Sequence, residues 1–180
     1  MKALLFDTET TGLIENRTVK NDKLPELIEF YGCTWDLAKD KKINELDQLV
    51  RPSSPEAITE LITSITGLKW EDVKDAPTFK DVASKIIKLI EASPIVIGHN
   101  LSFDIEMIDI EAERCGLKVN WPKIRICTVE QTVHLKGHRL NLSGLHELLF
   151  GEKFEGAHRA KVDVMALKRC CVELIKKGIL

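Results

Sequence analysis

The stretch Ala3-Leu4-Leu5-Phe6-Asp7-Thr8-Glu9-Thr10-Thr11-Gly12 predicts both the centre of a sheet and the chemistry of this chain. Its apolar first half is typical of a buried central strand, with polar groups at the carboxyl end of that strand. Asp7 and Glu9 are two residues apart, so on an extended strand both carboxylates lie on the same side. Two anions on one face repel unless a cation lies between them. Hard oxygen ligands, with no thiolate or imidazole in the segment, favour Mg²⁺ or Mn²⁺ over Zn²⁺.

Two further segments each carry a histidine and an aspartate, His99-Asn100-Leu101-Ser102-Phe103-Asp104 and His158-Arg159-Ala160-Lys161-Val162-Asp163. Asp104 and Asp163 raise the number of acidic side chains in the three segments to four, which supplies enough oxygen ligands for two divalent ions. Only the fold can bring together segments so far apart in the sequence. A pair of hard metal ions is typical of phosphoryl chemistry, so the pattern predicts an enzyme of that class.

Apolar patterning predicts four more strands. Residues 26–35 and 43–50 partly alternate on either side of a Lys-Asp-Lys-Lys turn region, which predicts a hairpin or meander. Residues 95–98 form a buried strand that delivers His99 at its end, and residues 124–128 are a further candidate. Residues 16–25 are polar, which predicts a loop between the first two strands and near the site.

Helical spacing of apolar side chains covers much of the remaining chain, over residues 55–66, 78–93, 103–115, 129–135, 142–151 and 160–177. Ser102 is the predicted N-cap of the third helix, with Asp104 in its first turn, and His158 lies in the loop before the last. Three strands, then helices alternating with two more strands, predict an α/β fold with a mixed sheet flanked by helices. Open α/β sheets bind ligands past the carboxyl ends of strands, where we expect Asp7 and His99.

The length and charge of the chain limit what it can contain. Its 180 residues predict a single domain over residues 1–180, without room for a polymerase or helicase module. A formal net charge of −2, from 26 Lys and Arg against 28 Asp and Glu, means that local patches must attract a polyanion. Basic residues gather at 136–139, 158–161 and 168–169.

The cysteines and the chain start indicate the compartment. Five cysteines show neither zinc-ligand spacing nor the regular spacing of a disulfide framework, so we expect reduced thiols. We see no secretory leader and no apolar run long enough to span a bilayer. A soluble, intracellular, cytoplasmic protein with no membrane partner is therefore expected.

Taken together, Asp7-x-Glu9-Thr10-Thr11-Gly12-Leu13, His99-Asn100-x-x-Phe103-Asp104 and His158-x-Ala160-x-x-Asp163 resemble the three motifs of the DnaQ-like, DEDDh-type 3′→5′ exonucleases. The segments Ile65-Thr66-Gly67-Leu68 and Arg125-Ile126-Cys127-Thr128 resemble that family's connecting segments, although Cys127 stands where many relatives have an aspartate. The resemblance implies a ribonuclease-H-like fold with a five-stranded mixed sheet. It also implies removal of nucleoside monophosphates from the 3′ end of DNA or RNA.

The resemblance implies a role for each acidic residue and for one histidine. Asp7 would contact both of two divalent cations, Mg²⁺ or Mn²⁺. Glu9 and Asp163 would complete the tighter metal site, and Asp104 would help to hold the second ion, partly through water. His158 would be the general base, because histidine changes charge near neutral pH and a loop position allows it to move.

For the terminal nucleotide, the resemblance implies contacts from Thr10, Gly12, Leu13, Ile65, His99 and Phe103. Leu13 would wedge against the base, and Gly12 permits close approach of the backbone to a ligand. The alternatives are that His99 only satisfies hydrogen bonds at a strand end and that Phe103 belongs to the core. Such contacts favour a single-stranded or frayed 3′ end, whose last nucleotide can bend towards the metals.

Three functions stay open on the sequence alone. The leading one is a metal-dependent 3′→5′ exonuclease on single-stranded or frayed DNA. An exoribonuclease that trims RNA or short oligoribonucleotides shares every motif. The third is an inactive nucleic-acid-binding module that docks on a polymerase, although four mutually repelling carboxylates argue against it. The short tail after Lys177 offers no tether, which favours a free-standing enzyme, and a polymerase is the candidate protein partner.

Overall fold

A five-stranded mixed sheet forms the centre of the computed structural model, which describes residues 1–15 and 24–180. The strands are β1 Lys2–Thr10, β2 Leu27–Asp36, β3 Lys41–Leu49, β4 Ile95–Gly98 and β5 Ile124–Cys127. Their order in the sheet is β3-β2-β1-β4-β5, with antiparallel pairing of β1 to β2 and β2 to β3 and parallel pairing of β1 to β4 and β4 to β5. The predicted fold class is confirmed.

Helices cover both faces of the sheet. They are α1 Glu60–Thr66, α2 Trp70–Val73, α3 Phe79–Glu91, α4 Leu101–Arg114, α5 Thr128–Lys136, α6 Leu142–Phe150 and α7 Ala160–Lys176. Most of the predicted loop over residues 16–25 lies outside the described residues. Within the described residues, no helix is both long and apolar enough to cross a membrane.

The side chains of β1 alternate between two cores. Leu4 and Phe6 are fully buried in the core that α3 and α4 cover, whereas Ala3 and Leu5 pack in the core that α7 covers. Each large apolar side chain buried in this way contributes about 1.5–3 kcal/mol to stability. The same alternation continues into the polar half of the strand, so Asp7 and Glu9 belong to the α7 side of the sheet.

β1 is longer than its apolar run. We expected Asp7 just past the end of the strand, but β1 continues through Glu9 to Thr10 because β2 goes on pairing with it. On the other side of β1 the parallel partner β4 is in register only with Leu4 and Leu5. Asp7 therefore lies past the end of the parallel ladder but inside the antiparallel one.

The starts of two helices also differ from the prediction. The helix predicted from residue 55 is a 3₁₀ turn followed by α1, which begins after Thr59, whose hydroxyl accepts a hydrogen bond from the amide of Ile62 at 3.3 Å. α4 begins at Leu101 with Asn100 as its N-cap at φ 67°, so Ser102 is already helical and its predicted capping role is wrong. This tight turn brings Leu101 so close to Gly98 that a Cβ there would lie 2.9 Å from the leucine side chain.

Candidate active site

Glu9, His158 and Asp163 form the tightest group of metal-ligating side chains among the described residues. One ligand atom from each lies within 4.8 Å of the others. β1 supplies the glutamate, and the first turn of α7 supplies the aspartate. The amide of His158 donates a 2.8 Å hydrogen bond to Asp163 Oδ2, which folds the predicted loop back over the start of the helix.

Asp104 is attached to β1 between the two acidic residues of that strand. Both the amide and the hydroxyl of Thr8 donate to Asp104 Oδ1, at 3.1 and 2.7 Å. The aspartate is 3% exposed and lies in the first turn of α4, as expected. Thr8 thus joins the second predicted motif to the first.

All four carboxylates have raised pKa values, and burial is the largest cause in each case. Burial and then the neighbouring Asp104 and Asp163 raise the pKa of Asp7 well above its usual range. Burial and Asp163 raise the pKa of Glu9 to about 8. Burial raises the pKa of Asp104 to about 7 and that of Asp163 to about 6, although hydrogen bonds from Thr8 and from the amide of residue 158 oppose the rise. Such crowding is unfavourable unless protons or cations neutralise it.

A cavity of about 210 Å³ opens beside these groups. Asp7, His99, His158 and Asp163 line it, together with residues from the start of α6 and the loop before α7. Among the described residues, Glu9 and Asp104 do not line it. The cavity has the position expected for a reacting group bound between β1, α6 and α7.

His99 is held by hydrogen bonds on both ring nitrogens. Its Nε2 lies 3.0 Å from the carbonyl of Leu140 and its Nδ1 lies 2.9 Å from the hydroxyl of Thr128. A carbonyl only accepts, so Nε2 carries the proton and Nδ1 accepts from the threonine. Burial lowers the pKa of His99 to about 4, which keeps the ring neutral at pH 7.

The other predicted substrate contacts do not line this cavity in the described structure; they are Thr10, Gly12, Leu13, Ile65 and Phe103. Leu13 is 76% exposed and Ile65 is 43% exposed, so both are open to a ligand. The hydroxyl of Thr10 donates to the carbonyl of Gly12 at 2.7 Å. Phe103 packs, partly buried, in a small apolar cluster with Met107 and Ile110 of α4. Their contact with a nucleotide stays a prediction.

The comparison with known families decides the class of the protein. Residues 4–170 match the RNase_T family, which is described as an exonuclease family. The chain belongs to the RNase_T exonuclease family. The predicted resemblance to an exonuclease family and the predicted enzyme class, an exonuclease, are confirmed.

Sequence relatives of this RNase_T exonuclease include much longer proteins. It is 32% identical to a DNA polymerase III PolC-type of Caldanaerobacter subterraneus subsp. tengcongensis over 97% of the chain, which spans 12% of that polymerase. It is 28% identical to the corresponding polymerase of Pediococcus pentosaceus, again over 97% of the chain and 11% of the relative. The chain therefore matches only a small part of the length of these relatives.

Solved structures share the fold of the RNase_T exonuclease. The nuclease domain of 3′hExo, a DEDDh family member bound to rAMP, has a TM-score of 0.80 at 19% identity, with 98% of this chain and 92% of that one covered. Exonuclease X in complex with 5′ overhanging duplex DNA has a TM-score of 0.67 at 24% identity, with 98% and 93% covered. Both likenesses show the predicted ribonuclease-H-like arrangement.

Sequence reasoning missed one pair at the site of this RNase_T exonuclease, Glu29 and Arg159. Glu29 lies on β2 directly opposite Glu9, is 2% exposed, and binds the Arg159 guanidinium at 2.9 Å. The signal that could have found it is a single acidic residue inside the otherwise apolar run Leu27-Ile28-Glu29-Phe30-Tyr31. A charge at such a position needs a buried partner.

The raised pKa values make the stability of the metal-free RNase_T exonuclease depend on pH. Between pH 6.5 and 8 the folded protein retains protons on much of Glu9 and part of Asp104 that the unfolded chain has lost, and the raised pKa of Asp7 acts in the same sense. Stability therefore falls as pH rises, by up to about 1.4 kcal/mol per pH unit for each retained proton. The lowered pKa of His99 acts in the opposite sense, most strongly below pH 6.5, and its contribution fades as pH rises through this window.

Urea unfolding in EDTA at pH 6.5, 7.2 and 8.0 tests this expectation. We expect the transition midpoint to fall across the series, and excess Mn²⁺ to remove the trend because the cation takes the place of the protons. A midpoint that rises with pH in EDTA would show that the carboxylates are not crowded.

Proposed function

We propose that this exonuclease releases nucleoside 5′-monophosphates from the 3′ end of a nucleic acid strand by two-metal-ion hydrolysis. Asp7, Glu9, Asp104 and Asp163 would hold two Mg²⁺ or Mn²⁺ ions. The observation that carries the proposal is the approach of Glu9, His158 and Asp163 to within 4.8 Å in the part of the chain that the structure describes. Carboxylate oxygens are the ligands of hard divalent cations, so the donor set fits them.

Each residue of the site would have a separate role in hydrolysis. Bound divalent ions supply a water of lowered pKa and stabilise charge on the leaving 3′ oxygen. Thr8 fixes the orientation of Asp104 through two hydrogen bonds, so that this carboxylate stays aimed at the site. His158 accepts the proton of the attacking water at a ring nitrogen, and the cavity beside it accommodates the terminal phosphate group. Neutral His99 forms part of the cavity wall and contributes no charge.

DNA is the substrate that we favour, with single-stranded or frayed 3′ ends. The most similar sequences described above are DNA polymerases, which supports DNA and a polymerase as the partner in proofreading. The exposed Leu13 and Ile65 offer apolar surface on which an unpaired base can stack.

RNA is the second candidate. It is supported by the ligand of one structural neighbour, the nuclease domain of 3′hExo bound to rAMP, which shares the fold with a TM-score of 0.80. One or two contacts to the 2′-hydroxyl suffice to separate the two substrates. The same oligonucleotide sequence must therefore be tested in both chemistries.

The test is a panel of 5′-labelled oligonucleotides with Mg²⁺, Mn²⁺ or EDTA. It pairs DNA with RNA, and single strands with duplexes that carry either a matched or a mismatched 3′ terminus. We expect a ladder of products shortened one nucleotide at a time from single-stranded and mismatched DNA, and none in EDTA or on a 3′-phosphate end. Faster trimming of RNA would favour the exoribonuclease. Intact substrate with both metals would mean a binding module.

A further inference from the structure

We propose that Arg159 and Glu29 form a positioning pair that holds the turn at His158 in register with the acidic residues of β1. This inference rests on the proposed role of His158 as the general base. Neither residue of the pair belongs to the set of metal ligands or to the general base. Both lie beside that set, one on the strand next to β1 and one at the start of α7.

The contact between the two side chains is bidentate. Arg159 Nη2 donates to Glu29 Oε1 at 2.9 Å, and Arg159 Nε donates to Glu29 Oε2 at 3.1 Å. Two parallel charge-assisted hydrogen bonds fix direction as well as distance, which a single ammonium contact does not. The pair therefore sets the angle at which the chain enters α7.

Glu29 also caps the N-terminus of α7. The N-cap residue of α7 is Arg159, whose side chain makes no capping hydrogen bond. Instead, Glu29 Oε2 accepts from the amide of Ala160, the first helical residue, at 3.0 Å. A carboxylate at a helix N-terminus satisfies an unpaired amide and interacts favourably with the helix dipole. One buried side chain of β2 thus holds both the backbone and the side chain at this end of α7.

The residue that the pair constrains is His158. Its backbone has a φ of 67°, in the left-handed region that side chains other than glycine rarely adopt. Such a conformation is strained and persists only where the surroundings impose it. On one side the His158 amide is bound to Asp163, and on the other the next residue is clamped to Glu29. Breaking the contact between Arg159 and Glu29 removes one of these two constraints.

The sheet transmits the constraint to the acidic residues. Glu29 and Glu9 are directly opposite each other in the β1–β2 ladder, so their spacing is fixed by backbone hydrogen bonds. Arg159 therefore ties the histidine turn to the strand pair that carries Glu9 and Asp7. Displacement of a reacting group by about 1 Å can cost about 100-fold in rate.

Steady-state kinetics on a single-stranded DNA 3′ end in Mg²⁺ test the pair. We expect Arg159→Gln to lower kcat by about 10- to 100-fold with little change in KM, and Arg159→Lys to recover part of the loss. The matched control is Arg51→Gln, which makes the same chemical change at an exposed arginine that donates to the carbonyl of Lys74 at 3.3 Å. The control should leave kcat unchanged, because it does not touch the turn at residue 158.

A double-mutant cycle with His158→Ala separates positioning from other roles. If Arg159 acts through the histidine, Arg159→Gln has no further effect on kcat once His158 is gone. An equal loss of kcat in both backgrounds would overturn the inference, as would a wild-type kcat for Arg159→Gln. A raised KM with unchanged kcat would show instead that the half-exposed guanidinium binds substrate.

A second variant keeps the test valid if the unpaired Glu29 of Arg159→Gln prevents folding. Glu29→Gln/Arg159→Gln removes both charges and so leaves no buried ion without a partner. We expect the same loss of kcat from this double variant, and near-wild-type kcat in it would overturn the inference. A wild-type rate for His158→Ala alone would reject the proposed base, which is a separate result.

Discussion

Asp7→Asn is expected to remove detectable exonuclease turnover and, at the same time, to make the metal-free protein more stable at pH 8. Burial and then Asp104, Asp163 and Glu9 raise the pKa of Asp7, so the metal-free fold opposes the ionisation of this group. Asparagine removes that cost and also removes the carboxylate assigned to both cations. We expect kcat to fall by at least about 10³-fold, equivalent to about 4 kcal/mol of lost transition-state stabilisation.

The measurement is initial rate on single-stranded DNA, together with urea unfolding in EDTA at pH 8. Asp75→Asn is the matched control, because it makes the same chemical change at an exposed position after α2. Stability gained with activity lost is the signature of a functional site that is strained when empty. Retained activity in Asp7→Asn, or a large loss in the control, would contradict the assignment.

His158→Ala is expected to lower kcat by about 10²- to 10⁴-fold, the range typical of a lost general base. The affinity for Mn²⁺ and for the oligonucleotide should stay close to that of the wild type. Both affinities must be measured, because the histidine lies within 4.8 Å of Glu9 and Asp163. A histidine at that distance can also act as a metal ligand.

Single-turnover rates and Mn²⁺ binding distinguish the two roles of His158. His134→Ala, on the exposed side of α5, is the control for removing an imidazole. Weakened Mn²⁺ binding in His158→Ala would make the residue a ligand. A rate like that of the wild type would remove it from the chemistry.

Much of this site follows from local sequence. The two-residue spacing of Asp7 and Glu9 predicts a shared face, because side chains of a strand alternate with a period of two. The position of Asp104 in the first turn of α4 follows from the strand and helix signals around it. The loop before α7 is predicted because the helical pattern begins only at Ala160.

The remaining features depend on pairing between distant residues, which local patterns do not contain. Arg159 beside a histidine resembles a solvated surface charge until Glu29, 130 residues earlier, is placed next to it. The length of β1 was misjudged for a similar reason, since β2 supports the polar half of the strand after the apolar run has ended. The cap of α4 was misassigned because a left-handed Asn100 replaced the expected serine.

The location and number of bound metal ions test the central claim most directly. Crystals of the chain soaked with Mn²⁺ and a nucleoside 5′-monophosphate would show the ions by their anomalous scattering. We predict two peaks at coordination distance from the carboxylates of Asp7, Glu9, Asp104 and Asp163, with Asp7 contacting both. Peaks elsewhere, or none among these four side chains, would contradict the account.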